Sequence, residues 1–243
     1  MRSSTVLHGL RAQIAQIEGG RGERSFLPFE VDEIDGHLPG GGLAAAALHE
    51  IAGSPELADD AAATVFLAAV LARLEGPIFW CLRWRDLFIP ALHQAGLHPD
   101  RVIFVEAGSD TNVLLAMEEC LRHAGLGGVV GEVAKYSTTA SKRLQLAAEK
   151  NGVTAFVFRR GCRREHVAQG TAANTRWRIT ASASEETGLP SLGRPRWHVA
   201  LERARGADCR AWIVEGADAQ GRITLPAALV DRPAAQEGAR AVA

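Results

Sequence analysis

Residues 48–60 read LHEIAGSPELADD, and this stretch sets the architecture of the chain. Leu48 to Ala52 is a short apolar run that ends at Gly53, and an alanine-rich helical pattern then runs from Asp59 to Leu74. A buried strand that passes through a glycine turn into a helix is typical of parallel α/β proteins, in which such a turn often binds phosphate.

The same alternation of strand and helix continues to residue 158. Apolar runs predict further strands at 77–82, 102–105, 128–133 and 153–158, and amphipathic stretches predict helices at 89–95, 111–123 and 137–150. Short apolar strands separated by helices indicate a mainly parallel, twisted sheet that is covered on both faces. The fold class is therefore α/β.

The pattern changes near the C-terminal end. Residues 177–181, 197–202 and 211–214 alternate apolar with polar side chains, which predicts antiparallel strands at that end of the sheet. We expect one core domain at 26–226, followed by a flexible tail at 227–243.

Residues 1–25 are predicted to form an N-terminal amphipathic helix and a glycine-rich linker. The helix would dock either on its own core or on a neighbouring subunit, because an isolated helix of this length is marginal in water. Its apolar stripe, the candidate interaction surface, consists of Leu7, Leu10, Ile14 and Ile17.

The composition excludes several classes of protein. The chain has 243 residues, 47% of them hydrophobic, and a net charge of −1, which excludes a disordered or collagen-like protein and leaves nucleic-acid contact to a local patch. The N-terminus lacks the apolar core of a secretory signal, so a cytoplasmic location is predicted. No metal site is predicted, because the cysteines form no closely spaced pair: Cys81, Cys120, Cys162 and Cys209.

The turn after the first core strand is predicted to be a degenerate phosphate loop. A working loop that begins at Gly53 needs a second glycine, then a lysine and a hydroxyl residue. Within one residue, those positions hold Ala58, Asp59 and Asp60. Two aspartates would repel a triphosphate and would themselves satisfy the positive start of the helix. We therefore expect no nucleotide cofactor.

Other chemistry is sparse. Glu132 ends the strand predicted at 128–133, where an acid could hold magnesium, but without a phosphate loop it is interpreted as a polar strand-end remnant. No Ser-His-Asp or Cys-His arrangement can be assigned from spacing, so no catalytic residue is predicted and the protein is expected not to be an enzyme.

Several blocks of the sequence resemble the bacterial ImuA family. The most specific are AMEECLRHAGLGGVVG at 116–131, SKRLQLAAEKNGVTAFVF at 141–158 and TRWRI at 175–179, and the resemblance extends from Phe26 to Leu225. It implies a degenerate RecA-like core and a non-enzymatic role in the error-prone translesion synthesis of the SOS response. The catalytic glutamate of RecA would fall near Leu82 or Arg83, where this chain has no carboxylate.

The resemblance also implies partners. They are an ImuB-like inactive homologue of Y-family polymerases and a second polymerase III alpha subunit, with RecA itself and a second copy of the chain as further candidates. Two alternatives stay open: a divergent ATPase of the RecA/KaiC type, and an antagonist of RecA filaments.

Two more features are candidate contact points. Four arginines follow the last core strand, and in a RecA-like arrangement they would lie on a mobile loop: Arg159, Arg160, Arg163 and Arg164. Such a loop could contact single-stranded DNA or an acidic partner protein, or it could be a solvated loop whose arginines have partners within the chain. Trp84 stands between two arginines after a buried strand, which predicts an exposed anchor at an interface.

Overall fold

The structure is a computed structural model that describes residues 25–161, 170–184 and 194–226. The predicted N-terminal helix, with Leu7, Leu10, Ile14 and Ile17, lies outside the described residues, as do Arg163, Arg164 and the predicted tail at 227–243.

Strands and helices alternate through the first two-thirds of the described chain, and strands alone follow. In order they are β1 (Phe26–Leu27), α1 (Asp32–Asp35), β2 (Leu43–Ala44), β3 (Leu48–Ala52), α2 (Leu57–Ala72), β4 (Ile78–Leu82), α3 (Ile89–Gln94), β5 (Val102–Glu106), α4 (Asp110–Cys120), β6 (Gly128–Glu132), α5 (Thr138–Asn151), β7 (Thr154–Arg159), β8 (Thr175–Ser182), β9 (Arg196–Ala204) and β10 (Arg210–Glu215).

One eight-stranded sheet organises the molecule, in the order β10-β9-β8-β3-β7-β6-β4-β5. Neighbours from β5 to β8 pair in parallel, whereas β8, β9 and β10 pair antiparallel. The prediction of a mainly parallel sheet with antiparallel strands at the C-terminal end is confirmed.

Apolar clusters cover both faces of the parallel strands. Ile51 faces the cluster that contains α2 and α3, while Leu48 faces the cluster that contains α4 and α5. Packing on the second face is close, because a side chain at Gly131 would collide with the sulfur of Met117 at 2.0 Å. This alternation along β3 sends Glu50 to the same face as Leu48.

The beginning of the described chain forms a small addition to the core. β1 and β2 pair with each other, and His37 Nε2 lies 2.7 Å from the carbonyl oxygen of Asp208 in the β9–β10 turn. In the described part of the chain, none of the helices has the length and apolar composition to cross a membrane.

Candidate functional site

The loop that follows β3 is fastened to the surrounding structure. A Cβ atom at Gly53 would lie 2.9 Å from the Cα atom of Asp60, so the loop turns back closely onto α2 and requires glycine there. The carbonyl oxygen of Gly53 accepts a hydrogen bond of 2.7 Å from the guanidinium of Arg178. The backbone of this turn is thus held by the protein itself.

Asp59 lies in the first turn of α2 and bonds to two neighbouring elements. Its Oδ2 accepts a hydrogen bond of 2.6 Å from the hydroxyl of Ser54, and its Oδ1 accepts one of 2.7 Å from the backbone N–H of Ala181 at the end of β8. The aspartate at the predicted lysine position therefore connects the loop, the helix and the sheet.

Asp60 is buried and also faces protein groups. Its Oδ1 accepts a hydrogen bond of 2.9 Å from the backbone N–H of Gly161, and its Oδ2 accepts one of 2.9 Å from Nε of Arg160. Both aspartates at the start of α2 are thus occupied by donors of the same chain.

Arg160 links three elements at the carboxyl edge of the sheet. Its Nε donates to Asp60, and its NH1 nitrogen donates to Asp86 Oδ1 at 2.6 Å and to Glu132 Oε2 at 3.2 Å. Burial alone would lower the pKa of Arg160, but Asp86, Glu132 and Asp60 outweigh that effect and raise it. The guanidinium is therefore a permanent cation inside this cluster.

Glu132 is buried at the end of β6. Trp80 Nε1 donates a hydrogen bond of 2.7 Å to its Oε1, and Arg160 occupies its Oε2. Burial raises the pKa of Glu132, and the charge of Arg160 and the bond from Trp80 oppose that shift only in part. Both oxygens of this acid are therefore in use within the chain.

These residues line a cleft of about 220 Å³, which we call the carboxyl-edge cleft. It lies beside the start of α2, where the sequence predicted a degenerate phosphate loop, and it is lined by Asp60, Arg83, Trp84, Asp86, Glu132 and Arg160, among others. Among the described residues, no group of three or more His, Cys, Asp or Glu side chains is arranged to hold a metal ion.

Arg159 and Arg160 correct the sequence-based expectation of a mobile basic loop. Arg159 is the last residue of β7 and is 3% exposed, and its guanidinium lies 3.1 Å from Glu50 Oε1. Because polar residues follow Phe158, the sequence predicted that this strand ends at residue 158. In the structure, Arg159 still belongs to β7 and pairs in parallel with Ala52. Arg159 is therefore buried and Arg160 is partly buried at the carboxyl-edge cleft, and both are held by carboxylates of the chain, whereas Arg163 and Arg164 lie outside the described residues.

Glu50 is the interior acid that sequence reasoning missed. It is fully buried, and its Oε2 lies 2.9 Å from NH2 of Arg176 and accepts a hydrogen bond of 3.1 Å from the hydroxyl of Thr171. The available signal was a glutamate inside the apolar strand LHEIA, because a buried carboxylate requires charged or hydrogen-bonding partners.

Trp84 is 56% exposed at the rim of the carboxyl-edge cleft. The guanidinium carbon of Arg83 lies 5.2 Å from the centre of its ring, and Nε of Arg83 lies 3.5 Å from Asp110. The predicted exposure of Trp84 is present in the structure, and its role as an interface anchor stays a prediction. Arg83, one of the two positions near which the resemblance implies the catalytic glutamate of RecA, is part of an ion pair.

Comparison with known proteins gives two kinds of relative, while no protein-family model matches the chain. Two curated relatives, each called Protein ImuA, come from Caulobacter vibrioides strains NA1000 / CB15N and ATCC 19089 / CIP 103742 / CB 15. Each is 35% identical over 241 residues, covering 93% of this chain and 97% of the relative.

The crystal structure of the RadB recombinase has a similar fold. It superposes with a TM-score of 0.59 at 14% sequence identity, covering 82% of this chain and 99% of the recombinase. At that identity the likeness establishes the fold, and the core described above is therefore RecA-like.

Proposed function

This chain belongs to the ImuA family, and on that premise we propose that it is a non-catalytic, RecA-like adaptor in DNA-damage-induced mutagenesis. It acts in the cytoplasm through protein–protein contacts within the error-prone translesion synthesis machinery of the SOS response. Its proposed partners are an ImuB-like inactive homologue of Y-family polymerases and a second polymerase III alpha subunit, with RecA and a second copy of the chain as further candidates.

The occupied carboxyl-edge cleft carries this proposal. Asp59 and Asp60 present carboxylates at the helix start where a phosphate would otherwise bind, and Arg160 is already paired with Asp60 and Glu132. A nucleoside triphosphate would have to break this partly buried network and bring its negative phosphates close to the carboxylates of Asp59 and Asp60. Both effects oppose binding, so the proposed role depends on surfaces and needs no bound nucleotide.

Single-stranded DNA contact is a secondary part of the proposal. Arg159 and Arg160 are held by carboxylates, and using them for DNA would first break those ion pairs. The proposed contact therefore depends on Arg163 and Arg164.

Two measurements on the full-length chain test this function. The first is equilibrium dialysis with ATP and magnesium, for which we expect no saturable binding at micromolar nucleotide. The second is the frequency of damage-induced mutation in a host whose own copy has been deleted, where the wild-type chain should restore mutagenesis. Saturable, magnesium-dependent ATP binding would favour the divergent ATPase, and failure to restore mutagenesis would contradict the adaptor role.

The RecA antagonist is separated from the adaptor by a third measurement. Preformed RecA filaments on single-stranded DNA are incubated with the purified chain, and filament loss is followed by light scattering. An adaptor leaves the filaments intact at equimolar concentration, whereas disassembly would favour the antagonist.

A further inference from the structure

The segment between β4 and α3 displays two large aromatic side chains that are more than half exposed. Trp84 is 56% exposed and Phe88 is 70% exposed, although Leu87 between them packs against the main apolar cluster. The backbone N–H of Asp86 donates to the carbonyl oxygen of Trp84 at 3.1 Å, which makes a turn. The turn is thus fixed by the core while its aromatic side chains point outward, which is typical of a contact surface.

The cleft beside this turn has an excess of negative charge. Its lining contains three carboxylates, those of Asp60, Asp86 and Glu132, against two guanidiniums, those of Arg83 and Arg160. The carboxylate of Asp86 is 50% exposed, and its Oδ2 has no hydrogen-bond partner among the described residues. A cation that enters the cleft would therefore meet an open carboxylate oxygen beside an exposed indole ring.

The chain itself shows which cation fits these groups. The guanidinium of Arg160 occupies the inner part of the cleft, with NH1 bridging Asp86 Oδ1 at 2.6 Å and Glu132 Oε2 at 3.2 Å. The guanidinium of Arg83 approaches the ring of Trp84 at 5.2 Å. Carboxylate pairing and stacking on an aromatic face are the two modes by which arginine binds at interfaces.

We propose that the outer part of the carboxyl-edge cleft, formed by Trp84 and Asp86, binds an arginine side chain of a partner protein. This inference rests on the proposed adaptor function only in taking the ligand to be a protein segment. The guanidinium bonds Asp86 Oδ2 and stacks on Trp84, while apolar neighbours of that arginine contact Phe88. A cleft that would repel phosphate is thereby used to recognise a basic segment.

The test uses the full-length chain and a defined probe, the tripeptide N-acetyl-Leu-Arg-Leu-amide. Its neutral counterpart carries citrulline, which keeps the shape of arginine without the charge. Binding is followed by NMR through the indole N–H signal of Trp84, which is identified by its absence in Trp84→Phe. We expect a saturable shift with the arginine peptide, and an affinity for the citrulline peptide that is lower by about threefold or more.

Variants locate the site. Asp86→Asn should weaken binding of the arginine peptide by about threefold or more, followed through the Trp84 signal. Asp100→Asn is the matched control, because its carboxylate is 89% exposed and lies outside the cleft lining, and it should leave affinity unchanged. Trp84→Ala, followed by calorimetry, should abolish detectable binding. Equal affinity for the two peptides, or unchanged affinity in Asp86→Asn, would overturn the proposal.

Failure of this site and failure of the proposed function remain distinguishable. Magnesium-ATP is titrated into the same sample, and the proposed function predicts no saturable shift of the Trp84 signal. A saturable ATP shift would contradict the nucleotide-independent function whatever the peptides do, whereas equal peptide affinities would contradict only the arginine site. Thermal midpoints of the variants within a few degrees of wild type establish that folding is intact.

Discussion

The guanidinium of Arg160 donates a hydrogen bond of 2.9 Å to the carboxylate of Asp60, although the two residues are 100 positions apart in the chain. The bond joins the segment after β7 to the first turn of α2, where a phosphate would bind in a nucleotide-binding relative. The chain thus closes this part of its RecA-like core with an internal cation. Because Asp60 and Glu132 share this cation, its removal is the subject of the first prediction.

Replacing Arg160 with alanine should destabilise the fold by about 1–3 kcal/mol. The substitution leaves the buried carboxylates of Asp60 and Glu132 without their shared cation. Urea unfolding measures the change, with Arg122→Ala as control, because Arg122 makes exposed ion pairs within one helix. Low, non-denaturing concentrations of guanidinium should partly restore the stability of Arg160→Ala, because the free cation can occupy the place of the missing side chain. A variant as stable as Arg122→Ala would contradict the structural role.

The network around Glu50 gives a second, larger effect. Glu50→Gln should destabilise the protein by about 3 kcal/mol, because it removes the buried negative charge shared by Arg159 and Arg176. Glu119→Gln is the matched control, since that carboxylate is 65% exposed, and it should change stability by less than about 0.5 kcal/mol. Similar unfolding midpoints for the two variants would refute this view of Glu50.

The sequence was sufficient to predict where most of the strands of the sheet lie along the chain. The run IFWCL in β4 is buried apart from Phe79, and its continuous apolar character leaves few alternatives to a strand. The run VIFV in β5 was also predicted as a strand, although β5 lies at the edge of the sheet and Ile103 is 47% exposed. The two-residue strands β1 and β2 could not be predicted, because they bury too few side chains to leave a periodic pattern.

The candidate site was only half predictable. Asp59 and Asp60 were identified because they are local to a recognisable turn. Their partners were not, because Ala181 and Arg160 are 122 and 100 positions away and are brought close only by strand pairing and helix docking. The sequence left the partner of Arg159 open for the same reason, since Glu50 is 109 positions away.

A third prediction concerns the loss of stability at acidic pH. Burial lowers the pKa of His49 to about 4, against an ordinary value of 6.5, and the hydrogen bond to the carbonyl oxygen of Ala44 opposes that shift only in part. The folded state therefore favours the neutral ring. Its contribution to the free energy of unfolding is complete above pH 6.5 and is lost as the pH falls towards 4. The loss should approach about 3 kcal/mol.

The measurement is the free energy of unfolding in urea between pH 7.5 and 4, compared with His49→Gln. The variant is expected to be less stable at neutral pH, because the hydrogen bond that the Thr175 hydroxyl donates to Nδ1 of His49 is disturbed. Its free energy of unfolding should, however, depend less on pH. His198→Gln is the control, because His198 is exposed in β9. Parallel pH curves for wild type and His49→Gln would show that another group causes the acid sensitivity.

The fourth prediction concerns DNA. Arg163→Ala and Arg164→Ala together should leave the thermal midpoint unchanged and weaken single-stranded DNA binding. The slope of log affinity against log salt should flatten by about 0.7 for each phosphate that an arginine no longer neutralises. Arg159→Ala should instead lower the midpoint, because it breaks the pair with Glu50. Wild-type affinity and salt slope in the double variant would exclude this segment from DNA binding.

The fifth prediction concerns the N-terminal segment. The sequence predicts a helix that would carry Leu7, Leu10, Ile14 and Ile17 on one face, followed by a glycine-rich linker. Such a short helix needs an apolar surface to be stable, and we expect that surface to belong to another subunit or partner. Deleting residues 1–24 should therefore preserve the thermal midpoint and abolish association, measured by sedimentation and by pull-down from DNA-damaged cells. Gln16→Ala is the matched variant, because its position falls on the opposite side of the predicted helix, and it should retain association. A large fall in midpoint with unchanged association would assign the helix to its own core, because the surface that it leaves behind would then be exposed within the same molecule.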